Sequence, residues 1–287
     1  MADPLAPSFT ADAIAAGIAP FGVARLPRID FGAGRISGLP DAVARHGRHA
    51  LIVTGRRSLG ATGRLDAILA GLVAAGIVTD TATASGEPSP ASVDAIVAEM
   101  RPRPIDVVVG IGGGSVLDTA KAVAGLLRSG TSARDHLEGV GRQLPYPGPP
   151  TPFIAVPTTA GTGSEATKNA VLSEVGRDGF KRSFRDERLV AAEAIVDPDL
   201  LEGAPPSLIA ANGMDAVTQL LESYVSTRAS PFTDALALSG LASARDGLLS
   251  WHAAASDAAT AVATAAGATA AGGTTARGTA ADRARMA

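Results

Sequence analysis

The chain alternates short apolar runs with amphipathic stretches through its first two hundred residues, a pattern that predicts a layered α/β fold. Ala50-Leu-Ile-Val-Thr54 is apolar and β-rich and stops at Gly55, as a buried strand does. Leu65 to Leu72 then repeats apolar residues at helical spacing and is halted by Gly76. Ile77 to Thr83 reads as a further strand. Ser89 to Met100 reads as a helix with Ser89 or Ser92 as its cap, ahead of a strand that follows Ile105. Phe153-Ile-Ala-Val156 is another buried strand, entered through a proline-rich connection at 145–152. Strands separated by helices imply a parallel sheet covered on both faces.

The pattern changes near Asp197-Pro198. Pro206 to Tyr224 and Thr233 to Leu249 are helical, with no strand between them. The expected organisation is an α/β domain over 1–200, the start of an all-helical domain over 201–252, and a low-complexity tail over 253–287. That tail is mostly alanine, threonine and glycine with only Val262 and Met286 as larger apolar groups, so it is expected to be disordered or loosely helical. The stripes Leu208, Val217, Leu220, Leu221 and Leu236, Leu238, Leu241, Leu248 are expected to be partly uncovered. Such a patch favours self-association, with a homodimer as one outcome.

Composition narrows the classes. The formal net charge is −3 and no basic block occurs, which argues against nucleic acid and against a polybasic membrane surface. Cysteine is absent, so no disulfide framework or thiolate chemistry is available. No run reaches transmembrane length without Gly, Pro or charge, and no Lys or Arg precedes Arg25, which makes a poor signal peptide. A soluble cytoplasmic protein is the expectation.

Two segments carry candidate chemistry. Val107 to Val109 breaks into Gly110, Gly112, Gly113 and Gly114 and restarts as a helix from Ser115, with Val116, Ala120, Val123 and Leu127 on one stripe. A strand, a glycine turn and a helix N-terminus offer free amides and a positive dipole end to a phosphate. Ser115 stands where the usual dinucleotide fingerprint ends in Gly or Ala, so the strict pattern fails, and a glycine-rich turn without ligand reads the same way. After the Phe153 strand, Pro157-Thr-Thr-Ala-Gly-Thr-Gly-Ser-Glu165 sets Thr158, Thr159, Thr162 and Ser164 in a loop at the carboxyl edge of the sheet. Their hydroxyls suit phosphate, ribose or amide oxygens, or simply a polar turn.

Taken in order, GGGSVLDTAKA, Asp135-His-Leu-Glu-Gly139, PTTAGTGSEAT, Asp197-Pro-Asp-Leu200 and Gly213-Met-Asp-Ala216 resemble the iron-containing (group III) alcohol dehydrogenases, from about Arg28 to about His252. The resemblance implies a dinucleotide-binding domain, a helical domain, and hydride transfer between NAD(P) and a small alcohol or aldehyde in the cleft between them. It assigns Gly112, Gly113, Gly114 and Ser115 to the pyrophosphate loop, and Thr158, Thr159, Thr162 and Ser164 to the nicotinamide half. Asp118 and Lys121 match its polar pair on the following helix and stand as catalytic candidates, with Asp118 facing the cleft. A solvated i,i+3 ion pair is the plainer alternative.

Where many members place an Asp for the adenosine ribose, this chain reads Thr54-Gly55-Arg56-Arg57-Ser58. Gly55 removes a carboxylate that would repel a 2′-phosphate, and Arg56 or Arg57 would pair with one, tilting the expectation to NADP. Gly55, Arg56 and Ser58 are therefore cofactor candidates, against a reading as surface residues. The family's divalent metal (Fe or Zn) is implied to sit on one Asp and three His. Asp215 occupies the Asp position, Gln219 stands at i+4 in place of His, and His252 is the only histidine beyond residue 136. Gln219 is a weaker ligand than imidazole. His252 is expected near a helix end and outside the metal site, and Asp282-Arg-Ala-Arg-Met-Ala287 resembles the start of a further family helix, as in a fragment. The competing expectations are a non-catalytic dinucleotide-binding remnant and the related glycerol dehydrogenase or dehydroquinate synthase-like chemistries.

Overall fold

The computed structural model describes residues 20–56 and 63–268, with 262–268 described by backbone alone. Eight strands occur among them: β1 Arg28–Phe31, β2 His49–Gly55, β3 Val78–Ala84, β4 Val107–Gly112, β5 Phe153–Pro157, β6 Asn169–Glu174, β7 Phe180–Arg185 and β8 Glu193–Val196. Six form a sheet in the order β1-β8-β5-β4-β2-β3 with every pairing parallel, and β6 and β7 form an antiparallel hairpin. Parallel strands put all their carboxyl ends on one edge, so Gly55, Gly112 and Pro157 end side by side.

Period-two alternation sorts the strand residues between two cores. Leu51, Val53, Val108, Phe153 and Ala155 face helices α3 Pro90–Met100 and α4 Gly114–Leu126. Ala50, Ile52, Val107, Val109 and Ile154 face α1 Leu39–Ala44 and α2 Arg64–Ala74. Ser89 is the cap of α3, accepting from the Ser92 amide while Ser92 bonds back to the Ser89 amide, so both candidate residues take part. Gly110 lets α4 lie close to β4: a Cβ there would fall 2.8 Å from the Ala120 methyl.

Four strands were not predicted from the sequence. β1 and β8 are four residues each, too short for a periodic signal. The β6–β7 hairpin packs Ala170, Leu172 and Phe184 into the α3/α4 core.

The sheet ends with β8. After a 3-10 turn at Pro198–Leu201, the elements are α5 Pro206–Tyr224 and α6 Pro231–Ala268. These two helices interlock through small residues: a Cβ on Gly213 would meet Leu248 at 2.3 Å, and one on Gly240 would meet Leu220 at 2.6 Å. Ala160, Leu201, Ile209, Ala244 and Trp251 seat the pair on the 157–165 loop. Their other face is open, with Leu208, Leu221, Leu236, Leu238 and Leu249 exposed.

Of the tail expected to be disordered or loosely helical, residues 253–268 continue α6 without a break. Alanine has the highest helix propensity. The Ser256 and Thr260 hydroxyls bond the carbonyls four residues back, which occupies them without breaking the helix. His252 therefore lies inside α6 and not at a helix end. The Asp282–Ala287 segment lies outside the described residues, as do Arg57 and Ser58.

Candidate functional site

β4 delivers the chain to Gly113, which is the N-cap of α4 in extended backbone (φ −75°) with no side-chain cap. The Gly114 and Ser115 amides open the helix, where an N–H has no intrahelical acceptor, and the dipole adds positive potential. The hydroxyl loop folds directly onto this turn. Thr158 N–H donates to the Gly112 carbonyl at 3.0 Å. A Cβ on Gly113 would stand 3.2 Å from Thr159 Oγ1, and one on Gly114 would stand 2.8 Å from the Thr162 methyl. A Cβ on Gly112 would fall 2.6 Å from Val116. The glycines are thus needed for the two motifs to meet, a requirement separate from phosphate approach and invisible in either motif alone.

Between this turn and α5 lies a cavity of about 430 Å³ lined by Gly114, Ser115, Asp118, Thr162, Ser164, Asp215 and Gln219 among others. Seven of the candidates therefore converge. Thr158 is buried behind the turn, and Thr159 packs on Gly113. Gly55 ends β2, where a Cβ would lie 3.4 Å from Val116, so the β2 end and the exposed Arg56 sit beside the first turn of α4. The sequence reading missed Glu87, Thr167, Asn169 and Lys181, which also line the cavity. Three of these belong to the β6–β7 hairpin or its approach; the alternation in 169–174 and 180–185 around Gly176 and Gly179 was the available signal.

Asp118 and Lys121 are not a solvated pair. The Lys121 side chain is 0% exposed, and its Nζ lies 4.0 Å from Asp118 Oδ1. Nζ donates to the carbonyls of Ser164 and Asn169, both at 2.7 Å, and to Thr167 Oγ1 at 3.1 Å. Burial lowers its pKa to about 8, against the pull of Asp118 and Glu165. Burial also raises the Asp118 carboxyl above its ordinary range, opposed by the Ser164 hydroxyl that donates to it and by Lys121. The Glu165 carboxyl is raised by burial as well. Lys121 thus ties α4 to the 164–169 backbone, while Asp118 faces the cavity.

Asp215 and Gln219 are one helical turn apart on α5 and both are exposed toward the cavity. Gln219 Nε2 donates to the Gly161 carbonyl at 2.8 Å. Gly161 runs so close to α5 that a Cβ would fall 2.5 Å from the Asn212 carbonyl oxygen. The glutamine therefore clasps the loop to the helix. Among the described residues, no three His, Cys, Asp or Glu side chains come together as metal ligands. One carboxylate beside an amide already bonded to backbone does not fit a tight Fe or Zn site.

The remaining motif residues are structural. Asp197 is fully buried, and its carboxylate accepts from the amides of Gly34, Ile36 and Asp199. His136 bonds Thr131 and the Leu144 carbonyl and stacks on Phe184, away from the cavity. A separate apolar cavity of about 280 Å³ between α1, α2 and the 197–200 turn has its buried carboxylate, Asp197, already satisfied.

Comparison with known proteins decides the family. The family model described as iron-containing alcohol dehydrogenase matches residues 27–198. The chain belongs to that family. It is 37% identical over 216 residues to alcohol dehydrogenase 4 of Saccharomyces cerevisiae, covering 74% of this chain and 54% of the yeast protein. It is 43% identical over 157 residues to the probable alcohol dehydrogenase EutG of Salmonella typhimurium, covering 55% and 38%. The crystal structure of an iron-containing alcohol dehydrogenase from Thermotoga maritima superposes with a TM-score of 0.73 at 26% identity, over 92% of this chain and 65% of that one. The fold is therefore the family's α/β unit followed by helices. The chain spans 38% and 54% of the length of the two curated relatives.

Proposed function

We propose that the chain binds a nicotinamide dinucleotide across the carboxyl edge of its sheet and serves as an NAD(P)-dependent alcohol dehydrogenase or aldehyde reductase. The observation that carries this is the single cavity joining the first turn of α4, the hydroxyl loop and α5. The Gly114 and Ser115 amides hold the diphosphate, with Gly112 and Gly113 leaving the turn bare of side chains. Thr162 and Ser164 lie along the nicotinamide half, with Thr158 and Thr159 shaping the loop from behind. When bound, the nicotinamide supplies or accepts the hydride.

Asp118 accepts a hydroxyl at the nicotinamide end; its partial burial keeps a second negative charge from opposing the diphosphate strongly. Lys121 positions Ser164 by holding its carbonyl and does not itself reach substrate. Gly55 and Arg56, beside the diphosphate site, favour the 2′-phosphate of NADP, with Ser58 in the following segment. A small alcohol or aldehyde is the substrate, as the names of relatives such as 1-propanol dehydrogenase and sulfoacetaldehyde reductase illustrate for those proteins. We place the chain in the cytoplasm. Residues 1–200 serve as the cofactor unit and the helices as the opposing wall, with a homodimer covering part of their exposed leucines.

A second reading, a non-catalytic dinucleotide binder, is favoured by one observation: Gln219 is bonded to Gly161 where the family pattern has a histidine. Purified protein assayed with NADPH and short aldehydes, with and without Fe²⁺ or Zn²⁺, separates the two. Turnover supports the enzyme; cofactor binding without turnover under every condition supports the binder.

A further inference from the structure

At the opposite, amino-terminal edge of the sheet lies a cavity of about 180 Å³, apart from the cavity of the dinucleotide site. It opens where β5 and β8 begin, and its lining includes Arg25, His46, Thr151 and Arg188. Thr151 is only 1% exposed, and its hydroxyl Oγ1 has no hydrogen-bond partner. Its own amide is satisfied by the Ala124 carbonyl at 2.9 Å, so the hydroxyl alone is left over. A buried hydroxyl without a partner is costly, and such groups usually meet a ligand or water. His46 Nε2 is likewise buried without a hydrogen bond, 3.3 Å from Glu193 Oε1.

The charges around this hydroxyl are mainly positive. Arg25 is exposed at the mouth and makes no hydrogen bond or ion pair among the described residues. Arg188 stacks on Tyr146 and is held by Asp186 and the Tyr146 carbonyl, which fixes its guanidinium at the rim. Arg28 and Arg45 lie near Glu193, and Arg45 forms a two-point pair with that carboxylate. Glu193 is thereby occupied, and Asp186 is spent on Arg188. Lys121 also borders the cavity, but its ammonium is committed to the 164–169 backbone. Pro150 and Pro152 flank Thr151 and contribute no backbone donor, so recognition falls to the side chains.

We infer that this cavity is a binding site for a small oxyanion, a phosphate or a short carboxylate, received by the Thr151 hydroxyl and the Arg25 guanidinium. It is separate from the diphosphate site by position, since it lies at the other end of the strands.

The test is thermal unfolding of the full chain titrated with phosphate or acetate against chloride at equal ionic strength. The same series is run on Thr151→Val and on Arg25→Ala. Phosphate or acetate should raise the midpoint of the parent protein above the chloride control, and whichever does so identifies the oxyanion. Each substitution should weaken that anion's effect by about tenfold or more in concentration, the loss expected for one hydrogen bond to a charged group. Without anion, Thr151→Val should unfold no earlier than the parent. Three results overturn the inference. An anion effect equal in the parent and in Thr151→Val puts the anion elsewhere, the first turn of α4 included. An effect lost in Thr151→Val but intact in Arg25→Ala removes the charge recognition. No difference between either oxyanion and chloride means that the cavity holds water only.

Discussion

Replacing Lys121 with Met tests the link between α4 and the cavity wall. The substitution keeps length and apolar volume but removes Nζ, which bonds Ser164 and Asn169 carbonyls at 2.7 Å and Thr167 at 3.1 Å. Hydrogen bonds from a charged donor are worth about 1.5–3 kcal/mol each, so roughly 4.5–9 kcal/mol of gross interaction is lost with the three. Against this stands the cost of burying the ammonium. Its pKa falls from 10.5 to about 8, and that shift corresponds to about 3 kcal/mol of penalty relieved by methionine. The net expectation at pH 7 is a destabilisation of about 1.5–6 kcal/mol.

The pH dependence carries a signature. Between pH 8 and 10.5 the folded protein has released this proton and the unfolded chain still binds it. The unfolded state then binds more protons, so the contribution of Lys121 to stability rises with pH across that window. The gap between parent and Lys121→Met should therefore widen from pH 7.5 to pH 9.5 in urea unfolding. A gap that stays constant, or a variant as stable as the parent at every pH, would refute the assignment of Lys121 as a buried charged tie.

Further expectations concern single contacts. Gly110→Ala places a methyl 2.8 Å from the Ala120 methyl between β4 and α4, and should cost about 1–3 kcal/mol in urea unfolding. Gly114→Val puts its Cβ 2.8 Å from the Thr162 methyl at the helix start, and NADPH affinity measured by fluorescence titration on folded variant should drop at least about tenfold. Asp118→Asn removes a carboxylate whose ionisation burial disfavours. Its raised pKa means that the parent gains stability as pH falls through that range, so the variant should match or exceed the parent at pH 7 and lose the advantage in acid. Arg56→Glu should reverse the ratio of NADPH to NADH affinity, read by the same titration.

The sheet strands with long apolar runs were legible because burial on both faces needs no alternation; β2, β4 and β5 are buried along nearly their whole length. β1 and β8 were not legible, since four residues give no period and their pairing is made only by long-range register. The continuity of α6 was only half legible: alanine favours helix, but Thr260, which reads as an interruption, bonds back to the carbonyl four residues earlier, as Ser256 does, and leaves it unbroken. At the site, the glycine turn and hydroxyl loop were each visible, and so was their chemistry. Their contact was not: that Gly113 and Gly114 are bare so that Thr159 and Thr162 fit is a tertiary fact. Lys181 and Glu87 were missed for the same reason, as a hairpin and a β3–α3 connection distant in sequence bring them to the cavity.

Function at this site requires the amides at the start of α4 to receive a nicotinamide dinucleotide. Isothermal titration calorimetry of the folded chain with NADPH and with NADH addresses this directly. One cofactor should bind per chain, more tightly for NADPH, and binding should be greatly weakened by Gly114→Val. Absence of heat and of any thermal stabilisation with both cofactors, on protein shown to be folded, would contradict it.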